Sequence, residues 1–337
     1  MTEKSRKIAF SRSRTALVLG AVAATVVAVA ACGDETTAEG AKPTIDLVAN
    51  DPLVESPFDA TPSPDGKDVY FIAMSRVPNE SGNGTMLEAG IFTVSATGGA
   101  VKKLHSGAPL VAPFGITISN DGQTLFLADT AAATSEERAD GRIYTMGVGG
   151  GAPAALAGTD GYAPAGVEVQ GDFLYFTGKK DGQAGLFKTG LAGGAVTPVA
   201  VGPAFVDPGG VALSKTGEAY VVDTGSGTHE AALASVVKVF PDGRTEILAQ
   251  ELAVGHPAGI AISNNERTVY VSGLDPTLRT DVVFTIDTAS RTTAKFSDVI
   301  AEHTASAGLH RARNANVFAW ADSHANATGS VYVLRGL

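Results

Sequence analysis

The chain has a single cysteine, Cys32, and a single tryptophan among 337 residues. One thiol excludes an internal disulfide framework and any thiolate-rich metal cluster. Basic residues are scarce, 25 against 35 acidic ones, for a net charge of −10. That balance argues against nucleic acid as a partner and against charge-driven binding to anionic lipid. Beyond residue 31 no convincing stretch of 3.6-residue periodicity occurs, which excludes a helical bundle. Glycine is abundant instead, with 40 residues and no collagen period, as in a chain of many turns.

The basic residues that exist are concentrated at the start. Lys4, Arg6, Lys7, Arg12 and Arg14 precede an apolar run, Thr15 to Ala31, which ends in Val29-Ala30-Ala31-Cys32-Gly33. A basic segment, a short apolar segment and small residues before a cut form an export signal. The run is short for a membrane span, which needs about 20 residues. Its ending resembles the bacterial lipobox, which implies lipidation of Cys32, for instance with palmitate, and anchoring on the outer side of a bacterial membrane. Residues 1–31 would then be the leader. They hold five basic groups and one acid, so the remainder has 20 basic and 34 acidic groups, a net −14. Residues 32–42 are polar and aperiodic and read as a tether; ten such residues span about 17 Å root-mean-square.

From residue 43 to 337 one unit recurs. An aromatic marks its second strand: Tyr70, Phe126, Tyr175, Tyr220, Tyr270 and Phe318, at intervals of 56, 49, 45, 50 and 48 residues. About ten residues upstream of each lies a small-residue entry: Pro57-Phe58-Asp59, Pro113-Phe114-Gly115, Pro164-Ala165-Gly166, Pro208-Gly209-Gly210, Pro257-Ala258-Gly259 and Ser306-Ala307-Gly308. A third strand follows, as in Ile143-Tyr144-Thr145-Met146, then a glycine turn and a short fourth strand. Apolar runs bounded by Gly, Asp and Asn turns are strands. Four antiparallel strands, repeated six times, make an all-β six-bladed β-propeller. The sixth unit lacks its last strand, and Thr44-Ile45-Asp46-Leu47-Val48 is a spare strand ahead of the first. An unpaired edge is costly, so this strand is expected to close the ring.

The copies resemble NHL-repeat and TolB-like propellers. Ser63-Pro64-Asp65-Gly66-Lys67 before Val69-Tyr70-Phe71 is similar to the TolB pattern, and Pro113–Asp129 to the NHL pattern. More distantly, Val54-Glu55-Ser56-Pro57 resembles the first motif of the gluconolactonase (senescence marker protein-like) group, whose glutamate binds a metal. The later motifs of that group are missing: the entries read Phe114-Gly115, Ala165-Gly166, Gly209-Gly210 and Ala258-Gly259. One glutamate is not a divalent-metal site, so no metal ligand set and no cofactor is assigned.

Strand order puts two kinds of loop on one face, the top: those from second to third strand, and those from fourth strand into the next blade. Ser75–Ala89, Thr130–Gly141, Thr224–Ser235 and Leu274–Asp281 are the long top segments. His105, His229, His256, His303 and His324 fall near this face, and His310 falls in an inner strand. Of these, His229, His256 and His324, with Glu55, Asp129, Asp223 and Asp322, are the candidate ligand-binding groups, against the plainer reading of solvated loop histidines. Asp223-Thr224-Gly225 imitates an aspartic-protease signature, but Asp129 and Asp223 hold one repeat position two blades apart, where an Asp caps a turn. Asn79–Gly84 imitates a calcium loop without its first aspartate or last glutamate. Phe318 and Trp320 are expected in the core. The sequence therefore points to an exported, lipid-anchored, monomeric propeller that binds an envelope protein or a small molecule through its top face. The competing reading is a metal-dependent lactonase or hydrolase at the channel mouth.

Overall fold

The computed structural model describes residues 43–79, 81, 83–133, 135, 140–225, 233–296 and 305–337. The expected leader and tether, with Cys32, lie outside the described residues, as do His229 and His303. Six four-stranded antiparallel sheets follow one another along the chain, each built from sequential strands except the last. Blade six takes Ser306–Arg311, Val317–Asp322 and Ser330–Arg335 from the end of the chain, and its outer strand is Thr44–Ala49. Thr44 pairs with Arg335, Ile45 with Leu334, Asp46 with Val333 and Leu47 with Tyr332. The expected closure is therefore the one observed.

The core is divided as a propeller requires. Each of six apolar clusters joins two neighbouring blades. The second-strand aromatics sit in these seams: Phe126, Tyr220 and Phe318 are buried. Trp320 is buried beside Phe318, with its Nε1 donating to Ser306 Oγ at 3.0 Å. Both are core residues, as expected.

Thr130–Gly141 and Thr224–Ser235 lie partly outside the described residues, and the other two long top segments differ from simple loops. Ser75–Ala89 continues the hairpin of blade one, whose second and third strands run Asp68–Pro78 and Thr85–Ser95. Leu274–Asp281 likewise belongs to the hairpin Thr268–Asp275 and Thr280–Asp287 of blade five. Blade three does the same with Phe173–Lys180 and Gln183–Gly190. In blades two, four and six the second strand stops early, at Asp129, at Thr224 just after Asp223, and at Asp322. There the aspartate carboxylate captures backbone N–H groups of the following or incoming loop. At the matching place the odd blades have Ala73, Gly178 and Gly273, which offer no competing acceptor, so the ladder runs on.

Candidate functional site

The third residue of each entry motif faces the axis. Five copies have glycine there: Gly115, Gly166, Gly210, Gly259 and Gly308. Neighbouring inner strands approach so closely that a Cβ on Gly115 would lie 2.1 Å from the Ala165 carbonyl. Blade one has Asp59 instead. Its side chain fills the space that Gly308 leaves free, where a Cβ would lie 1.7 Å from Asp59 Oδ1. Asp59 is buried; its Oδ2 accepts the Ile116 N–H at 2.9 Å and meets His310 Nε2 at 3.1 Å. The other ring nitrogen, His310 Nδ1, lies 3.1 Å from Glu168 Oε2. Glu168 belongs to blade three, opposite blade six, so this contact crosses the channel. Arg313 Nη2 adds a bond to Glu168 Oε1 at 2.8 Å, and its Nη1 one to Asn120 at 2.9 Å.

A carboxylate only accepts, so an imidazole facing one on each side must carry both protons. Burial alone would lower the His310 pKa, but Asp59 and Glu168 raise it to about 10. Burial would raise that of Glu168, but the hydrogen bond from His310 and the charges of Arg313 and His310 lower it to about 2. Two acids and two cations thus form a balanced bridge across the axis.

Above the bridge, aromatic rings close the upper mouth. Phe114 of blade two meets Phe58 of blade one edge-on at 5.5 Å and His256 of blade five at 5.3 Å. Beside them lies a cavity of about 130 Å3, mostly apolar, in which Lys179 and Asp207 form an ion pair of 2.7 Å. His256 is the one candidate from the sequence that lines it.

The other candidates are held apart by local bonds. Glu55 pairs with Arg76 within blade one. Asp129 accepts the N–H groups of Val111 and Ala112 at 2.7 and 3.0 Å, and burial raises its pKa against those bonds. Asp223 accepts the Val206 N–H at 2.9 Å; burial, opposed by backbone bonds and aided by the Asp207 charge, raises its pKa to about 6. His324 is exposed, and His105 Nε2 lies 3.1 Å from the Ala108 carbonyl. Asn79 Oδ1 accepts Ser81 and Asn83, closing the calcium-like segment on itself. Among the described residues no three His, Cys, Asp or Glu side chains converge in a metal-holding group.

No protein-family model and no curated protein matches the sequence. Solved structures do. A chain of a nidogen–laminin complex superposes with a TM-score of 0.55 at 18% identity, over 73% of this chain and 81% of that one. A putative TolB from Agrobacterium tumefaciens gives 0.57 at 15%, over 86% and 97%. TolB from Acinetobacter baumannii gives 0.50 at 16% over 71% of this chain, which spans about half of that longer protein, 53%. The likeness is one of fold. At such identities the six-bladed propeller is shared and the site residues are this chain's own.

One pair was not anticipated from sequence. Asp281 and Asp322, at the upper ends of blades five and six, are 1% and 0% exposed and close enough to interact. Three of their four oxygens have no hydrogen-bond partner. Two such carboxylates cannot both ionise. Burial, then the neighbouring Asp322 carboxyl, raise the Asp281 pKa far above 3.8. The folded state therefore holds a proton that the unfolded chain releases, and this contribution to stability falls as pH rises above about 4. Asp281→Asn, which keeps a donor toward Asp322, should raise stability at pH 7 on the order of 2 kcal/mol. Denaturant titrations of wild type and variant from pH 4 to 8 would check it; an unchanged slope against pH would refute the shared proton.

Proposed function

We propose that this is an exported lipoprotein whose propeller is a binding domain, docking a protein partner through its top face. One observation carries the reading. Of eleven large apolar side chains exposed among the described residues, eight are on the top. Leu53, Val111 and Val206 lie in segments entering inner strands, Met86, Leu87 and Leu278 at or near hairpin tips, Leu233 begins a third strand and Val201 ends a fourth. A concentration of exposed apolar groups on one face marks an interaction surface. The topology adds a direction. The outer strand Thr44–Ala49 runs from bottom to top, so its first residue, which follows the proposed tether, lies at the bottom beside Arg335.

The same geometry favours binding over hydrolysis. The acids that a lactonase would need are engaged elsewhere, Glu55 by Arg76 and Asp129 and Asp223 by backbone N–H groups. A photo-crosslinking residue placed at Leu87 or Leu278 should give one discrete adduct in cells, and none from Phe173 at a bottom turn. Equal adducts from all three sites, or none from the top, would overturn the docking reading. Separately, Cys32→Ser should move the protein from the detergent to the aqueous phase on partitioning. Unchanged partitioning would remove the anchor and leave the docking face to be judged by its own test.

A further inference from the structure

The lower mouth of the channel is unlike the rest of this acidic molecule. It opens into a cavity of about 200 Å3, walled by the ends of the inner strands and the turns after them in blades two to six. Three cations line it, Lys215, Arg311 and Arg313, against one acid, Glu168. Glu168 is already matched by His310 and Arg313. The other two cations are held by neutral groups. Arg311 Nε donates to the Ile262 carbonyl at 2.8 Å and its Nη1 to the Ala312 carbonyl at 2.7 Å. Those bonds fix the guanidinium plane at the cavity wall. Lys215 Nζ rests on the Asn264 carbonyl at 2.7 Å and on its side-chain oxygen at 3.3 Å. Glu266 is near enough to offset part of this charge, but its Oε1 accepts the Lys215 backbone N–H.

We infer that the lower mouth binds a small oxyanion, a carboxylate or a phosphate, with Arg311 and Lys215 as its charge partners. With Nε and Nη1 engaged by carbonyls, Nη2 is the Arg311 donor left for an anion oxygen, and the half-enclosed position weakens competition from water. The bridge above Arg313 closes the inner end of the cavity: Glu168 is neutralised there, so the net positive charge of the wall is what an entering anion meets. The site is on the face opposite the apolar rim and does not depend on the docking reading.

The test is calorimetric titration of the full chain in detergent with inorganic phosphate and with citrate, at constant ionic strength in chloride. Saturable one-to-one binding of either anion is expected, and which one binds identifies the class. Lys215→Gln and Arg311→Lys should each weaken it about tenfold or more, the loss of one charged hydrogen bond. Lys215 is exposed enough that its variant should melt as wild type does, which keeps the test open if Arg311→Lys disturbs the fold. No saturable heat with either anion, or unchanged affinity in Lys215→Gln, would overturn the site.

Discussion

Deleting residues 43–50 is expected to abolish cooperative folding. The strand Thr44–Ala49 is the outer strand of blade six, so its loss leaves Ser330–Arg335 as an open edge. Val48 and Ala49 are buried in the seam between blades six and one, and Ile45 packs on the seam between blades five and six. Their burial, with the ladder bonds, contributes on the order of 5 kcal/mol. That is comparable to the whole stability of many domains, about 5–15 kcal/mol. Arg335 would also lose Asp46 at 3.0 Å, and the Gly329 carbonyl would lose Asn50 at 2.9 Å. The free edge would template aggregation. A rescue separates topology from composition. Thr44 lies opposite Arg335, so residues 43–50 joined after Leu337 through a short turn would form a hairpin in the same place. The deletion should aggregate or melt without a sharp transition, and the permuted chain should regain one. A deletion that stays soluble with the wild-type melting temperature would show that the ring closes without this strand.

The second large effect is at the axis. His310→Ala should cost about 3–5 kcal/mol, because it leaves Asp59 and Glu168 facing a site without their shared cation. Charge, not shape, is the larger part, so adding Asp59→Asn and Glu168→Gln to His310→Ala should recover much of the loss. The pH dependence has a defined sign. The folded His310 pKa is raised to about 10 from 6.5, so its contribution is full below pH 6.5 and is lost as pH rises toward 10. That of Glu168 is lowered to about 2 from 4.5, so its contribution is full above pH 4.5 and is lost as pH falls toward 2. Together with the proton on Asp281, they place maximal stability in mildly acidic solution. Urea unfolding across pH 3–10 should show this maximum, and His310→Ala should flatten the alkaline limb. An alkaline limb unchanged in the variant would mean that His310 is not charged in the folded protein.

Much of the molecule is legible in sequence, and the reasons differ by level. Strand count, blade count and closure follow from recurrence, because each blade repeats one burial pattern in which the second-strand aromatic fills a seam. The axial bridge left a weaker trace. Asp59 stands where five copies have glycine, and Glu168 and His310 are charged residues within inner strands, between Val167 and Val169 and after Leu309. Those are the signals by which it could be found. Their partnership is not among them: Glu168 and His310 are 142 positions apart and meet only because blades three and six are opposite in a closed ring. The candidate acids show the converse. Asp129, Asp223 and Asp322 share one repeat position with a capping function, so their recurrence marks the end of a strand more than a site.

The sequence by itself determined the repeat, the number of blades, the closing strand and the acidic character of the chain, because these depend on local pattern and composition. The tertiary structure alone decided which charges face one another across the channel, that Asp281 and Asp322 are paired, and that the exposed apolar side chains gather on one face. Those outcomes depend on the curvature that brings blades together around an axis. Curvature is set by the packing of six seams at once, and no single strand encodes it.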